Sequence, residues 1–104
     1  MTDTAGLAEL AELRVALHEM EGSLGLHDMT RNERDVLCAF QYAGAEKGPV
    51  SSEAAKSSDL LSSVSHATFH RSLRSLLEKG YVQLAPDHRA KHYVIPSEAS
   101  PCAR

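Results

Sequence analysis

The feature that most constrains this chain is a helix signal at residues 65–79 with a clear beginning and a clear end. Ser65 is a good N-cap residue, and Gly80 is the kind of residue at which helices commonly stop. Between them, apolar residues recur at the i, i+4, i+7 and i+8 spacing of a single helical face: Phe69, Leu73, Leu76 and Leu77. The pattern predicts a helix that packs one face on a core and leaves the opposite face in solvent.

The opposite face of this predicted helix is polar and basic. It presents Thr68, Arg71 and Arg74, and no acidic residue precedes Glu78. His70 lies at the flank of the apolar stripe, where we expect it to be a half-buried packing residue. A basic face on a helix is the kind of surface that binds nucleic acid, even when the whole protein is acidic.

The charge distribution along the chain agrees with this interpretation. The net charge is −3, but it is unevenly divided. Residues 1–63 carry five basic and eleven acidic side chains, whereas residues 64–104 carry six basic and three acidic ones and four of the six histidines. The basic character is therefore concentrated where the amphipathic helix lies.

A β-hairpin is predicted directly after the helix, over residues 81–95. Residues 81–84 form a short alternating strand, and residues 92–95 form the return strand. Between them, residues 86–89 (Pro-Asp-His-Arg) have the composition of a turn. The last residues, 97–104, are expected to form a flexible tail.

Two further helices are predicted before residue 65. The first begins at a capping box, in which Thr30 and Glu33 exchange side-chain-to-backbone hydrogen bonds, and its expected buried face is formed by Val36, Leu37 and Phe40. Residues 51–58 suit a short Ser-capped helix, and a polar turn follows from residue 59 to residue 63. The order is thus helix, short helix, turn, amphipathic helix and hairpin.

Residues 1–26 are predicted to be a separate N-terminal element containing an amphipathic helix over residues 5–21. Its apolar residues recur at spacings of 3, 4, 3 and 4: Leu10, Leu13, Leu17, Met20 and Leu24. Two interpretations of this stripe remain open, a dimer interface and packing on its own domain. We favour the dimer interface, because residues 27–96 already account for a complete small domain.

Several classes of function lack any support in the sequence. A chain of 104 residues is sufficient for one domain, and neither a membrane span nor a secretory signal is recognisable, so we expect a cytoplasmic protein. The two cysteines, Cys38 and Cys102, match no zinc-binding spacing and are expected to be reduced thiols. No P-loop, dinucleotide fingerprint, nucleophile elbow or metalloprotease motif occurs. We therefore expect no enzymatic activity and no cofactor.

The region from about residue 30 to residue 95 resembles the winged helix-turn-helix of bacterial regulators, and most closely the multiple-antibiotic-resistance regulator (MarR) family. The resemblance is carried by residues 65–73 (Ser-His-Ala-Thr-Phe-His-Arg-Ser-Leu) and residues 76–82 (Leu-Leu-Glu-Lys-Gly-Tyr-Val). In the hairpin, Asp87-His88-Arg89 is similar to the Asp-x-Arg of the family's wing. The resemblance implies a mostly α-helical fold with a β-hairpin wing, and a transcriptional regulator that binds double-stranded DNA.

The sequence departs from that family in two ways. The family usually continues after the wing into long C-terminal dimerisation helices, and residues 97–104 are too few to supply them. We expect the N-terminal stripe to provide homodimerisation instead. The family also often binds small ligands beside those helices, so the ligand pocket is not carried over and an effector stays unspecified.

The resemblance implies how the residues would contact DNA. Residues 65–79 would enter the major groove, with Arg71 reading guanine and Arg74 meeting phosphate, while the wing, residues 82–95, would lie on the adjacent backbone or minor groove. Arg89 is expected at the wing tip, steadied by Asp87. The full set of predicted DNA contacts is Ser51, Ser52, Lys56, Ser65, His66, Thr68, Arg71, Arg74, Arg89 and Lys91.

Two alternatives to DNA binding stay open. A winged helix can serve as a protein–protein docking module, although the basic outer face argues against that use. A metal-sensing regulator is the other alternative, because His66 and His70 have the i, i+4 spacing that can chelate one metal ion. No carboxylate or cysteine is placed in the sequence to complete such a site.

Overall fold

The computed structural model describes residues 4–86 and 91–96, and over these residues the protein is mostly helical with a small antiparallel sheet. The fold class predicted from the sequence is confirmed at that level. The α-helices of this part are α1 (Thr4–Ser23), α2 (Arg31–Tyr42), α3 (Ser52–Lys56) and α4 (His66–Lys79), with a 3₁₀ helix at Asp59–Leu61. The strands are β1 (Val50–Ser51), β2 (Gln83–Leu84) and β3 (His92–Val94). Within the described residues, no helix has the length and hydropathy to cross a membrane.

Helix α2 begins at the predicted capping box. The Thr30 hydroxyl accepts a hydrogen bond from the Glu33 backbone N–H at 3.1 Å, and the Glu33 carboxylate accepts one from the Thr30 N–H at 2.9 Å. Two backbone N–H groups at the helix start that have no helical partner are thereby satisfied. The buried apolar face of α2 consists of Val36, Ala39 and Phe40. The predicted start is confirmed, and so are Val36 and Phe40 of the predicted face, whereas Leu37 is only partly buried.

Helix α4 begins and ends where the sequence predicts. The Ser65 hydroxyl accepts from the Thr68 N–H at 3.1 Å, and Gly80 ends the helix in the left-handed conformation at φ +85°. A side chain at that φ would be strained, which is why a glycine suits the position. The predicted apolar stripe faces inward, with Leu77 partly buried and the others fully buried: Phe69, Leu73 and Leu76.

The core lies between α2, α4 and the sheet, with Phe40 near its centre. The Phe40 ring stacks against Phe69 of α4 at a centroid distance of 6.4 Å and meets Tyr93 of β3 edge to face at 5.7 Å. Phe40 and Phe69 are fully buried, and burial of this kind contributes about 1.5–3 kcal/mol per large apolar side chain. This packing fixes α4 with its apolar side on the core and its other side in solvent.

The sheet has the strand order β1-β3-β2, with both pairings antiparallel. Val50 pairs with Tyr93, and Gln83 pairs with Val94. The hairpin formed by β2 and β3 confirms the predicted strands, although both are shorter than predicted. The strand β1 was not predicted, because its two residues have no pattern of their own. Residues 87–89 of the predicted turn and the predicted tail at residues 97–104 lie outside the described residues.

Helix α1 extends the predicted helix by a few residues and contains no buried residue among those described. Near its end, the Glu21 carboxylate lies 3.6 Å from Nε of Arg34 on α2. Arg34 in turn donates from Nη1 to the Met29 carbonyl oxygen at 2.7 Å. These contacts connect the end of α1 to the start of α2 and leave the apolar stripe of α1 uncovered.

Candidate nucleic-acid interface

The outward face of α4 is the core of the candidate site. Arg71 and Arg74 are both exposed, three residues apart on a helix whose other side is buried. Neighbouring side chains at this spacing lie on the same face of a helix. Because Phe69 and Leu76 anchor the opposite side in the core, the two guanidinium groups are presented on a rigid element rather than on a loop.

The first turn of α4 is arranged around the hydroxyl of Ser65. This hydroxyl accepts from the Thr68 N–H and also donates to Oγ1 of Thr68 at 3.0 Å. Ser65 and His66 are exposed, and Thr68 is half-buried. The predicted role of Ser65 as a cap is confirmed. Its additional role as a DNA contact stays a prediction.

A cluster of basic side chains lies beside α4 and extends its positive surface. Lys56 of α3, Lys91 before β3, and His66 and His70 of α4 line one shallow cleft, together with Ser52, Glu53 and Phe69. The pKa of His70 is lowered by burial, and further by the nearby positive charges of His66, Lys91, Lys56 and Arg74. This reflects a concentration of positive potential between α3, α4 and the hairpin.

The hairpin is joined to α3 by its backbone. The Ser52 N–H donates to the Lys91 carbonyl oxygen at 2.9 Å, and Lys91 has a left-handed backbone at φ +73°. Ser51 is the N-cap of α3, with its hydroxyl accepting from the Ala54 N–H at 3.0 Å. The position of Lys91 relative to the helices is therefore fixed by direct hydrogen bonding.

The structure brings four of the predicted DNA-contacting residues together in one cleft: Ser52, Lys56, His66 and Lys91. Ser65 and Thr68 line a different pocket, beside Arg31 and Asp35 of α2. Ser52 is buried, with 4% of its surface exposed, so its side chain is not available to DNA. Its contribution to the site is the backbone hydrogen bond that holds Lys91. Arg89 lies outside the described residues, as do Asp87 and His88. The His70 ring packs edge to face on Phe69, as expected for a half-buried packing residue. It also lines the basic cleft, which the sequence did not predict.

The apolar stripe of α1 is a second candidate functional surface. Each of its predicted residues is at least half exposed: Leu10, Leu13, Leu17, Met20 and Leu24. Leu7, which lies outside the predicted stripe, is exposed as well, at 55%. Within the described residues the stripe is exposed and is not packed on its own domain, and the dimer interface stays a prediction.

The metal-binding alternative based on His66 and His70 finds limited support. Their rings meet edge to face with centroids 4.2 Å apart, which confirms that they are neighbours. Among the described residues, however, the group of three possible metal ligands that the structure brings together is a different one, His18, Glu21 and His27. Sequence reasoning missed this group, because a loop and not a motif brings His27 to the other two.

Comparisons with protein-family models, with curated proteins and with solved structures find no match to this chain.

Proposed function

We propose that this protein is a winged helix-turn-helix transcriptional regulator that binds double-stranded DNA as a homodimer in the cytoplasm. The class is supported by the order of elements, α2-β1-α3-α4-β2-β3, and by the sheet order β1-β3-β2. The resemblance of residues 30–95 to MarR-like regulators is in keeping with this order.

The observation that carries the proposal is the two-sided character of α4. One side supplies the core through Phe69, Leu73 and Leu76, and the other exposes Arg71 and Arg74. An α-helix with its side chains is about 10–12 Å wide, which matches the roughly 12 Å width of the major groove. α4 can therefore enter the groove without disturbing the packing that holds it.

In this arrangement the two arginines have different roles. Arg71 lies within the first two turns of α4, and N-terminal residues of a recognition helix are those that reach base edges. It reads guanine through its paired N–H groups. Arg74, one turn further on, neutralises a phosphate, and the free N–H groups at the start of α4 hold another.

The basic cleft provides the flanking backbone contacts. Lys56 of α3 and Lys91 before β3 line the same cleft as His66 and His70 of α4, so we expect both ammonium groups to meet phosphates that border the groove. Ser51 adds a further contact to the DNA backbone. The hairpin lies beside it, and we expect Arg89 to reach the minor groove. Phosphate contacts of this type position the protein and make its affinity depend on salt.

The exposed stripe of α1 supports the homodimer. A stripe of leucines at alternating spacings of three and four is the pattern by which two helices pack along a common seam. Pairing two copies places two α4 helices on one duplex, so we expect a two-fold symmetric site with half-sites about one helical turn apart.

Fluorescence anisotropy with a labelled random duplex tests the proposal, repeated from about 50 to 200 mM salt. We expect binding that weakens steeply with salt, and weaker binding for Arg71→Ala. Lys47→Ala is the matched control, because it removes one exposed positive charge from a loop away from α4. Absence of binding at the lowest salt, or equal losses for both variants, would overturn the proposal, and a protein-docking role would then become the favoured one.

A further inference from the structure

We propose that His18, Glu21 and His27 bind one divalent transition-metal ion of the zinc class at the junction between α1 and α2. One ligand atom from each residue lies within 4.8 Å of the other two. Two imidazoles and a carboxylate form a ligand set that zinc accepts, at about 2.0–2.2 Å from each donor.

The turn at the end of α1 brings the ligands together. Backbone hydrogen bonds from the Leu24 N–H to the Met20 carbonyl and from the Leu26 N–H to the Glu21 carbonyl reverse the chain. This reversal stacks the His27 ring on the His18 ring, with centroids 4.5 Å apart and planes 24° apart. Two residues nine positions apart thus present their imidazoles side by side.

The hydrogen bonding of His27 leaves one ring nitrogen suited to a metal ion. Its Nε2 lies 3.0 Å from the backbone carbonyl oxygen of His18. Because a carbonyl oxygen only accepts, Nε2 must carry the hydrogen, and Nδ1 of the neutral ring then has a free lone pair. Metal-binding histidines commonly donate their other ring N–H to a backbone carbonyl in this way, which fixes the tautomer and the ring orientation.

Gly22 supplies the space that the His27 ring occupies. A Cβ atom at this position would lie 2.8 Å from Cε1 and 3.2 Å from Nε2 of His27. The clash is with a ring that is held by stacking and by a hydrogen bond, so an alanine would displace the ring. Gly22 lies within α1, where glycine is disfavoured. The close approach of the His27 ring explains why a residue without a side chain suits this position.

The carboxylate of Glu21 also has an outer partner. Its Oε1 atom faces Nε of Arg34 at 3.6 Å, which leaves Oε2 to ligate the ion. Arg34 is itself held by the Met29 carbonyl, so the Glu21 carboxylate is oriented from α2. Although the positive charge of Arg34 opposes a cation, ligating carboxylates in metal sites are commonly held by an outer partner, which here is an ion pair and not a hydrogen bond.

A metal ion at this position would fix the angle at which α1 leaves the domain. The ligands come from α1 and from the loop that precedes α2, so the ion would connect both sides of the turn. The apolar stripe of α1 would then be presented in one orientation rather than several. This inference does not depend on the DNA-binding proposal.

The test is calorimetric titration of the untagged full-length chain with Zn²⁺, with tetrahedral coordination followed separately by visible absorption of Co²⁺. We expect one ion per chain, and an affinity loss of at least about tenfold in His18→Gln and in His27→Gln. The control is the double variant His66→Gln with His70→Gln, which should bind like the parent. The absence of Zn²⁺ binding, or binding lost only in the control, would overturn the proposal.

Gly22→Ala separates loss of the site from loss of the fold. Alanine favours the helix, so this variant should keep the parent's circular dichroism and thermal stability while losing metal affinity through displacement of His27. Unchanged Zn²⁺ affinity in Gly22→Ala would contradict the assigned position of the His27 ring and with it the proposed site.

Discussion

Nζ of Lys79 lies 3.2 Å from Oε1 of Glu33, and this contact joins the last turn of α4 to the first turn of α2. Burial alone would raise the pKa of Glu33, but hydrogen bonds from Ser75, from the Thr30 backbone and from Lys79 outweigh it and lower that pKa below its ordinary value. The carboxylate therefore serves both as a helix cap and as a link between the two main helices of the core.

We expect Glu33→Ala to lower the free energy of unfolding by about 1–2 kcal/mol, because it removes the capping box and the Lys79 contact together. Since the pKa of Glu33 is lower in the folded protein, its contribution is present above the pKa of the unfolded chain and is lost as pH falls through the lowered value. Urea unfolding at pH 7 and at decreasing pH measures both effects. Glu78→Ala, at an exposed position on α4, is the control and should change stability little.

Arg71 and Arg74 should differ in how their loss affects DNA binding. Arg71→Ala is expected to cost about 1–3 kcal/mol on the specific site and to relax the base preference. Arg74→Ala should weaken binding to all sequences alike and reduce the slope of log affinity against log salt by about 1. Anisotropy titrations against a selected site and a random duplex distinguish the two. The assigned roles would be wrong if both variants changed specificity, or if neither did.

The role of the α1 stripe in dimerisation can be tested with two substitutions that each replace an exposed apolar residue by glutamate. Leu13→Glu places a charge in the centre of the stripe and should shift the protein from dimer to monomer, because a buried unpaired carboxylate is costly. Val15→Glu is the matched control, since Val15 is similarly exposed, at 59%, but lies away from the stripe. Sedimentation equilibrium gives the molecular mass of each. A parent protein that is monomeric at high concentration would refute the homodimer.

Gly80 should be sensitive to substitution for a purely conformational reason. Gly80→Ala forces a side chain into the left-handed region at φ +85°, at a cost of about 1–2 kcal/mol, although an added Cβ would meet no other atom within 4 Å. Gly48→Ala is the control, because a Cβ at Gly48 also meets nothing and its φ is not left-handed. Thermal unfolding of the two variants should show a loss at position 80 and little change or a gain at position 48.

DNA binding should strengthen as pH falls, through His70 of the basic cleft. In the free protein the pKa of His70 is lowered by burial and by the positive charges of His66, Lys91, Lys56 and Arg74. A phosphate in the cleft favours the protonated ring, so the pKa of His70 rises on binding and a proton is taken up. Affinity should therefore increase as the pH falls from 8 to 6, and anisotropy titrations at the two pH values measure the change.

The double variant His66→Gln with His70→Gln tests this linkage. Its affinity should change much less with pH over the same range, because arginine and lysine keep their charge there. An equal pH dependence in the parent and in the double variant would show that these histidines do not face the DNA.

The features predicted correctly from sequence are those with local causes. The Thr30–Glu33 capping box, the Ser65 cap and the Gly80 terminus each depend on hydrogen bonds or dihedral angles within a few residues. The buried face of α4 follows from the 3.6-residue period alone. Such features can be predicted because no distant part of the chain is needed to form them.

The features that were missed depend on distant contacts. Strand β1 exists only because Val50 pairs with Tyr93, and two residues carry no period from which pairing could be predicted. The burial of Ser52 follows from its place under the hairpin. Likewise His27 reaches His18 only through the turn after α1, and the proximity of Lys56 to Lys91 requires α3 and the hairpin to be in place.

The pairing of β1 with β3 also has a consequence for the order of folding. α3 and α4 lie between these strands in the sequence, so the sheet closes a long loop whose entropic cost a few hydrogen bonds cannot offset alone. Contacts of such large sequence separation form late. The packing of α2 on α4 is equally long-range, since Glu33 contacts Lys79 across 46 residues. Because Tyr93 of β3 packs on Phe40 of α2, we expect the sheet and the helix pair to form together, and detachment of the hairpin to disrupt the core as well.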